Sequence, residues 1–219
     1  MSLPQLDGPR LAPINGNARQ LIVLLHGYGA DGNDLIALGR TWQLRFPDAA
    51  FVAPNAPQAV TAGAGYQWFA LDRIDPKENE RGAEAAGPAL DAFLDGELKA
   101  NNLGPENLAL LGFSQGAMMA LHAGLRRKVP PLGILAYSGL LAGRVPQPAP
   151  GGAYPPVFLS HGDSDTVVPP QMMFMAVGAL EQIGAAVDWH LARNTGHGID
   201  PESLELGAKF LQAALVPRA

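Results

Sequence analysis

The chain has 219 residues, no cysteine and a net charge of −5 with no long run of like charge. This excludes disulfides, thiolate metal sites and a cysteine nucleophile, and it makes nucleic acid an unsuited partner. A single domain of this size buries about 70% of the surface its unfolded chain exposes, so one core over residues 1–219 needs no covalent staple.

The opening, MSLPQLDGPRLAPING, has neither a basic start nor an apolar core. It therefore reads as no signal peptide, which predicts a soluble, cytoplasmic protein. The first short apolar run, Leu21–Leu25 (LIVLL), reads as a strand buried on both faces. A glycine-rich turn, HGYGADGND, leads into a helical pattern over Asp34–Arg45. Ala50–Ala53 (AFVA) is the next strand, and the Pro/Gly-rich segment 54–65 reads as a surface loop. GYQWFALD then supplies Tyr66, Trp68 and Phe69, before a long helix over Arg81–Asn101.

Leu108–Leu111 (LALL) is a third strand, followed by a helix over Gln115–Lys128. That helix ends in Arg126, Arg127 and Lys128, where a C-terminus favours cations, and Pro130-Pro131 prevents its continuation. Asn107 to Leu125 carries no Asp, Glu, Lys or Arg, but Asn107, Ser114, Gln115, His122 and three glycines argue against a membrane span. Strands over Gly133–Tyr137 and Val157–Ser160 flank a Pro/Gly-rich loop at 143–156. A helix over Gln171–Ile183 has Pro170 in its first turn and Gly184 as its C-cap. Val187–Ala192 alternates, with Val187, Trp189 and Leu191 opposite Asp188 and His190, so it belongs near a sheet edge. Pro201–Ala214 is the last helix. The alternation of strand and helix implies an α/β fold with a mostly parallel sheet.

Two glycine-rich turns compete for a functional reading. Gly27–Gly32 fits G-x-G-x-x-G, the dinucleotide fingerprint. That fingerprint wants an acidic residue at the end of the next strand, and Pro54-Asn55 stands there instead. Gly112–Gly116 (GFSQG) fits G-x-S-x-G between a buried strand and a helix. Such an elbow holds a strained serine at a helix N-terminus, where developing negative charge is favoured. Ser114 is the candidate nucleophile.

An elbow of this kind predicts the chain order Ser, then Asp or Glu, then His. The strand Val157–Ser160 runs into HGDSDTVVPP, which offers both Asp163 and Asp165, and the last strand runs into RNTGHGID, which offers His197. Gly196 and Gly198 flank His197 and free the backbone to present the imidazole. The other histidines have plainer places. His122 lies in a buried helix, His190 on the outward face of an edge strand, His161 at a strand end and His26 at a turn entry.

Taken together, LLHGYGADGNDL, PNAP, GFSQGAMMAL, HGDSDTVVP and GHG resemble the carboxylesterase / acyl-protein thioesterase (phospholipase/carboxylesterase) family of α/β-hydrolases, over about Leu21 to Gly198. The resemblance implies an α/β-hydrolase fold, with helices on both faces of the sheet. It implies Ser114 as nucleophile, His197 as base and Asp165 as the acid, leaving Asp163 to brace its own turn. It also implies an oxyanion hole made by the backbone N–H groups of Tyr28 and Gln115, whose side chains are then expected to be dispensable. Ala117 stands where many relatives have glycine, and Trp68-Phe69-Ala70 where the family often has W-F-D, so contacts of that acidic side chain are not carried over.

The segment Gly139–Pro155 is too broken by proline and glycine to form a helical cap, which predicts an open, shallow site. Trp68 and Phe69 are candidate substrate-binding residues there, and the alternative is that they close the core under a long loop. The expected activity is a serine carboxylesterase acting on small-molecule esters or thioesters of short to medium acyl chains, needing no metal or organic cofactor. A serine peptidase on the same fold and a non-catalytic binding protein are the rival readings. Association into a homodimer stays open.

Overall fold

The computed structural model describes residues 3–61, 63–71, 75–145, 147–148 and 152–215. The strands among the described residues are β1 (Arg10–Leu11), β2 (Gln20–Leu25), β3 (Ala49–Val52), β4 (Gln58–Ala59), β5 (Tyr66–Gln67), β6 (Leu108–Phe113), β7 (Gly133–Tyr137), β8 (Val157–Gly162) and β9 (Val187–Ala192). The α-helices α1 (Gly32–Trp42), α2 (Pro76–Ala100), α3 (Gln115–Gly124), α4 (Gln171–Gln182) and α5 (Pro201–Ala214) lie between and after them. Seven strands form one sheet in the order β1-β3-β2-β6-β7-β8-β9. Only β1 runs antiparallel, against β3; the remaining pairs are parallel.

Continuous apolar runs make this sheet because side chains of a strand alternate between its faces. Leu21, Val23 and Leu25 of β2 join a core with Leu90 and Leu94 of α2, Met118 of α3 and Leu180 of α4. Ile22 and Leu24 face the other way, onto Ile36 and Trp42 of α1 and Leu211 of α5. Helices therefore cover both faces, the arrangement of an α/β-hydrolase fold. β9, the strand with alternating rather than continuous apolar residues, lies at one edge of the sheet, and β1 at the other.

Several boundaries differ from the sequence pattern. α2 begins at Pro76, ahead of Arg81, because the Asp75 side chain caps the N–H groups of Lys77 and Glu78 and Pro76 is set for a first turn. Its opening residues, Lys77 to Glu80, are polar and carry no apolar period. α3 stops at Gly124, ahead of Lys128, yet Arg126 still serves the helix end by donating from Nη1 to the His122 carbonyl at 3.0 Å. The segment 54–65 is not merely loop: β4 and β5 pair antiparallel across it. Tyr66 then exchanges hydrogen bonds with the turn after β2, donating to Ala30 O at 2.8 Å and accepting from Gly29 N–H at 2.9 Å.

The connection after β7 contains no helix or strand among the described residues. It is tied to α2 where the Arg144 N–H donates to Glu80 Oε1 at 3.2 Å. Among the described residues, no helix is long and apolar enough to cross a membrane. In a parallel sheet, the turns that follow the strands gather at one edge, and ligand sites form there. The turns after β2, β6, β8 and β9 all emerge at that edge.

Candidate active site

Ser114 joins β6 to α3 with φ 54° and ψ −117°, a left-handed conformation that costs a non-glycine residue ~1–3 kcal/mol. Two glycines let the chain make so sharp a turn. A Cβ on Gly112 would lie 2.2 Å from the Gly116 carbonyl oxygen, and one on Gly116 would lie 1.9 Å from that of Leu25. Strand and helix thus approach more closely than any side chain would allow. The Ser114 N–H donates to Tyr137 O of β7 at 2.9 Å, which fixes the turn to the neighbouring strand.

His197 and Asp165 reach Ser114 from the turns after β9 and β8. The His197 Nδ1–H donates to Asp165 Oδ2 at 2.7 Å, and His197 Nε2 lies 3.0 Å from Ser114 Oγ. A carboxylate only accepts, so Nδ1 carries the imidazole proton and Nε2 is left to accept from the hydroxyl. Asp165 is buried, and its second oxygen accepts from the N–H groups of Val167 at 2.8 Å and Val168 at 2.9 Å. His161 packs on the same carboxylate: its Nε2 lies 3.2 Å from Asp165 Oδ2 and 2.8 Å from Val168 O. Burial lowers the pKa of His161, so it is a neutral ring whose Nε2–H the two oxygens share. Asp163, by contrast, is exposed and accepts from its neighbour Ser164 Oγ at 2.7 Å. That hydroxyl, chiefly, holds the Asp163 carboxyl below its usual range.

The loop carrying His197 is seated by a glycine that the sequence pattern did not single out. A Cβ on Gly162 would lie 2.2 Å from Thr195 O and 2.3 Å from Gly196 O. Gly196 and Gly198 have nothing within 4 Å of such an atom, so their lack of a side chain is not what admits the imidazole. Ser138 Oγ donates to Gly198 O at 3.0 Å, and the ring of Phe113 stacks on His197 with centroids 5.0 Å apart.

Gly27, the neighbour of Tyr28, packs against the elbow, since a Cβ there would lie 3.3 Å from Ser114 Cβ, and Gln115 follows Ser114 directly. Gln115 opens α3, and a first-turn N–H has no partner within its helix. Its side chain, expected from the sequence to be dispensable, is tied into the structure. It is fully buried, with Oε1 accepting from the Trp68 N–H at 2.9 Å and Nε2 donating to Phe69 O at 2.8 Å. The Trp68 indole N–H in turn donates to His26 O at 3.0 Å. His26 is held as a neutral ring: Nε2 accepts from the Ala56 N–H at 3.0 Å and Nδ1–H donates to Gly27 O at 2.7 Å. Burial lowers its pKa as well. One chain of hydrogen bonds therefore runs from Gln115 through Trp68 to the residues just before Tyr28. Trp68 is 0% and Phe69 4% exposed, so the expectation that they contact substrate gives way to the alternative: both side chains close the core.

The dinucleotide-like turn is occupied by the protein itself. The Gly32 N–H, in the first turn of α1, donates to Asn55 Oδ1 at 2.9 Å, and the Asn33 N–H to Asp31 Oδ1 at 2.7 Å. His190 is half-buried rather than outward-facing. With Asp200 and Glu202 it forms the one trio, among the described residues, able to converge ligand atoms within 4.8 Å on a metal ion. Asp200 Oδ1 already caps α5 by accepting from the Ser203 N–H at 3.0 Å.

The site thus sets a strained serine, a histidine facing its hydroxyl and a buried carboxylate on the far side of that histidine on a mostly parallel sheet. The phospholipase/carboxylesterase family model matches residues 7–215. The chain belongs to this family. It is a hydrolase, with the α/β-hydrolase fold. Acyl-protein thioesterase 1 of Saccharomyces cerevisiae is 30% identical over 226 residues, covering 96% of this chain and 99% of that protein. Esterase YpfH of Escherichia coli is 28% identical over 200 residues, covering 89% of this chain and 83% of that one. The crystal structure of esterase PE8 superposes with a TM-score of 0.89 at 44% identity, covering 96% of this chain and 100% of that one.

Proposed function

We propose that this hydrolase is a serine carboxylesterase that cleaves esters and thioesters of short to medium acyl chains through an acyl-enzyme on Ser114. The observation that carries the reading is the unbroken hydrogen-bonded line from Asp165 through His197 to Ser114 Oγ, at 2.7 and 3.0 Å. In this reading His197 Nε2 takes the Ser114 proton as Oγ attacks the carbonyl carbon. The N–H groups of Tyr28 and Gln115 hold the oxyanion, and Asp165 stabilises the imidazolium. His197 then protonates the departing alcohol or thiol. Water, activated by the same imidazole, cleaves the acyl-enzyme and restores Ser114.

Esters and thioesters are favoured over peptides on physical grounds. An alkoxide or thiolate leaves with modest help, whereas an amine must be protonated in fixed geometry, which peptidases achieve by clamping an extended chain. The described residues of the connection after β7 form no helix, which supports an open site without such a clamp. We further propose that residues 1–219 act as one catalytic domain, in the cytoplasm, on small molecules rather than nucleic acid; the net charge of −5 supports the last point.

The test is a matched p-nitrophenyl ester and p-nitroanilide of one acyl group, with wild type and Ser114→Ala. Ester turnover abolished by the substitution, together with a fluorophosphonate adduct on Ser114, is the expected result. Comparable kcat/KM on ester and anilide would favour the peptidase, and an adduct on Ser138 or Ser160 would displace Ser114 as nucleophile.

A further inference from the structure

Asn79 is a polar residue in the wrong place. It closes the first turn of α2, is 0% exposed, and neither its amide oxygen nor its amide nitrogen has a hydrogen-bond partner among the described residues. A buried amide left unpaired on both sides is destabilising, and packed proteins keep few of them. Asn79 lines a cavity of about 230 Å³ whose other walls are apolar: Pro76 from α2, Leu140 and Leu141 after β7, and Met172 and Met175 from α4.

The cavity belongs to the Ser114 edge of the sheet. α2 and α4 begin at the edge where the strands end, and the cavity lies between their first turns. Gly139, the neighbour of Leu140, packs against the elbow: a Cβ there would lie 2.5 Å from Ala117 Cβ and 3.1 Å from Ser114 O. The side of the sheet also matters. Asn79, Leu140 and Met173 sit with α2, α3 and α4, whose residues form one core. His197 instead stacks on Phe113, which packs into the opposite core with α1 and α5. A histidine that protonates the leaving group defines the leaving-group side, so a cavity on the opposite side takes the acyl group.

Building on the esterase reading above, we propose that this cavity is the acyl pocket and that Asn79 recognises a hydroxyl on the acyl chain, so that the preferred substrates are esters of hydroxylated carboxylic acids. A hydroxyl is suited to the role because it donates and accepts at one atom, matching an amide free on both sides. At about 30 Å³ for each small group, the cavity has room for about seven or eight non-hydrogen atoms, a medium-length chain. Sites built to hydrogen-bond a substrate hydroxyl discriminate against the analogue that lacks it, since the site's own polar group is then left unpaired.

The test measures ethyl hexanoate against ethyl 3-hydroxyhexanoate and ethyl 6-hydroxyhexanoate by pH-stat, with wild type, Asn79→Leu and Asn79→Ala. The readout is the ratio of kcat/KM for hydroxylated and plain ester in one preparation, which does not depend on the fraction folded. The expected result is a wild-type preference of about tenfold for one of the hydroxylated esters, falling below twofold in both variants. Equal rates on plain and hydroxylated esters in wild type would overturn the proposal and leave Asn79 to a buried water. A preference retained in both variants would overturn Asn79 as its source. Hydrolysis of none of the three esters by wild type would overturn the esterase reading instead, and the acyl-pocket proposal with it.

Discussion

Gln115→Met is the substitution that separates the two roles of residue 115, a backbone donor and a side-chain clamp. Methionine keeps the volume and the helical backbone but removes both hydrogen bonds of the amide. The two groups left behind, the Trp68 N–H and the Phe69 carbonyl, belong to a segment buried away from solvent. Each unpaired buried group costs ~1–3 kcal/mol, so the pair costs ~2–6 kcal/mol. Against a total stability of ~5–15 kcal/mol, this is a large fraction. At about 2–4 °C per kcal/mol for a chain of this size, the melting temperature is expected to fall on the order of 10 °C. The kinetic effect has a distinct signature. The Trp68 indole N–H holds His26 O, two residues from Tyr28, so under the proposed function a loosened Trp68 displaces the Tyr28 N–H, the proposed oxyanion donor, without touching Ser114. Full loss of one such donor costs ~10²–10³ in kcat, and a displaced one is expected to cost about 10–100-fold in kcat with little change in KM. Thermal melts and steady-state kinetics on one p-nitrophenyl ester measure both. A variant that melts within about 1 °C of wild type and retains kcat within about twofold would refute the clamp.

Other outcomes follow from the geometry of the same site. Asp165→Asn leaves His197 without its carboxylate and is expected to cost about 10⁴ in kcat, whereas the exposed Asp163→Asn should leave kcat near wild type; the reverse pattern would transfer the acid role. Gly162→Ala places a methyl 2.2 Å from Thr195 O and should shift the His197 loop, lowering kcat about 10²-fold, while Gly196→Ala and Gly198→Ala meet nothing and should act nearly as wild type. Burial pushes the His122 imidazole down to about 4, and lowers His26 and His161 as well. A histidine held neutral by the fold contributes stability that is fully present above its unfolded value near 6.5 and lost as pH falls toward 4. The melting temperature should therefore fall over that interval, and less steeply in His122→Gln, as read by scanning fluorimetry at a series of pH values.

The sequence determined most of the sheet and the order of the site. Runs such as LIVLL and LALL are apolar at every position, which only a strand covered on both faces can bury, and VDWHLA alternates as an edge strand does. Ser114 and His197 were legible as candidates because each lies in a turn that follows a strand, and a parallel sheet brings such turns to one edge; the turn after β8 offered Asp163 and Asp165 alike, and only the family resemblance pointed to Asp165. Local signals failed where they were silent or misleading. The start of α2 was hidden by a polar first turn, although Asp75-Pro76 marked it. Gly196 and Gly198 drew attention by their position beside His197, while Gly162, distant in sequence, is the one that makes room.

What only the tertiary structure decided is which polar groups meet across the chain. Sequence spacing offered no reason to connect Gln115 to Trp68 or Phe69, Trp68 to His26, or His161 to Asp165. Such contacts depend on where turns from separate strands land, to within a few tenths of an ångström, and hydropathy patterns carry no such information. The same holds for Trp68 and Phe69: an aromatic pair in a glycine-rich stretch fits a pocket lip as well as a core. Burial beneath the turn after β2, held by a glutamine 47 residues away in sequence, assigned them to the core.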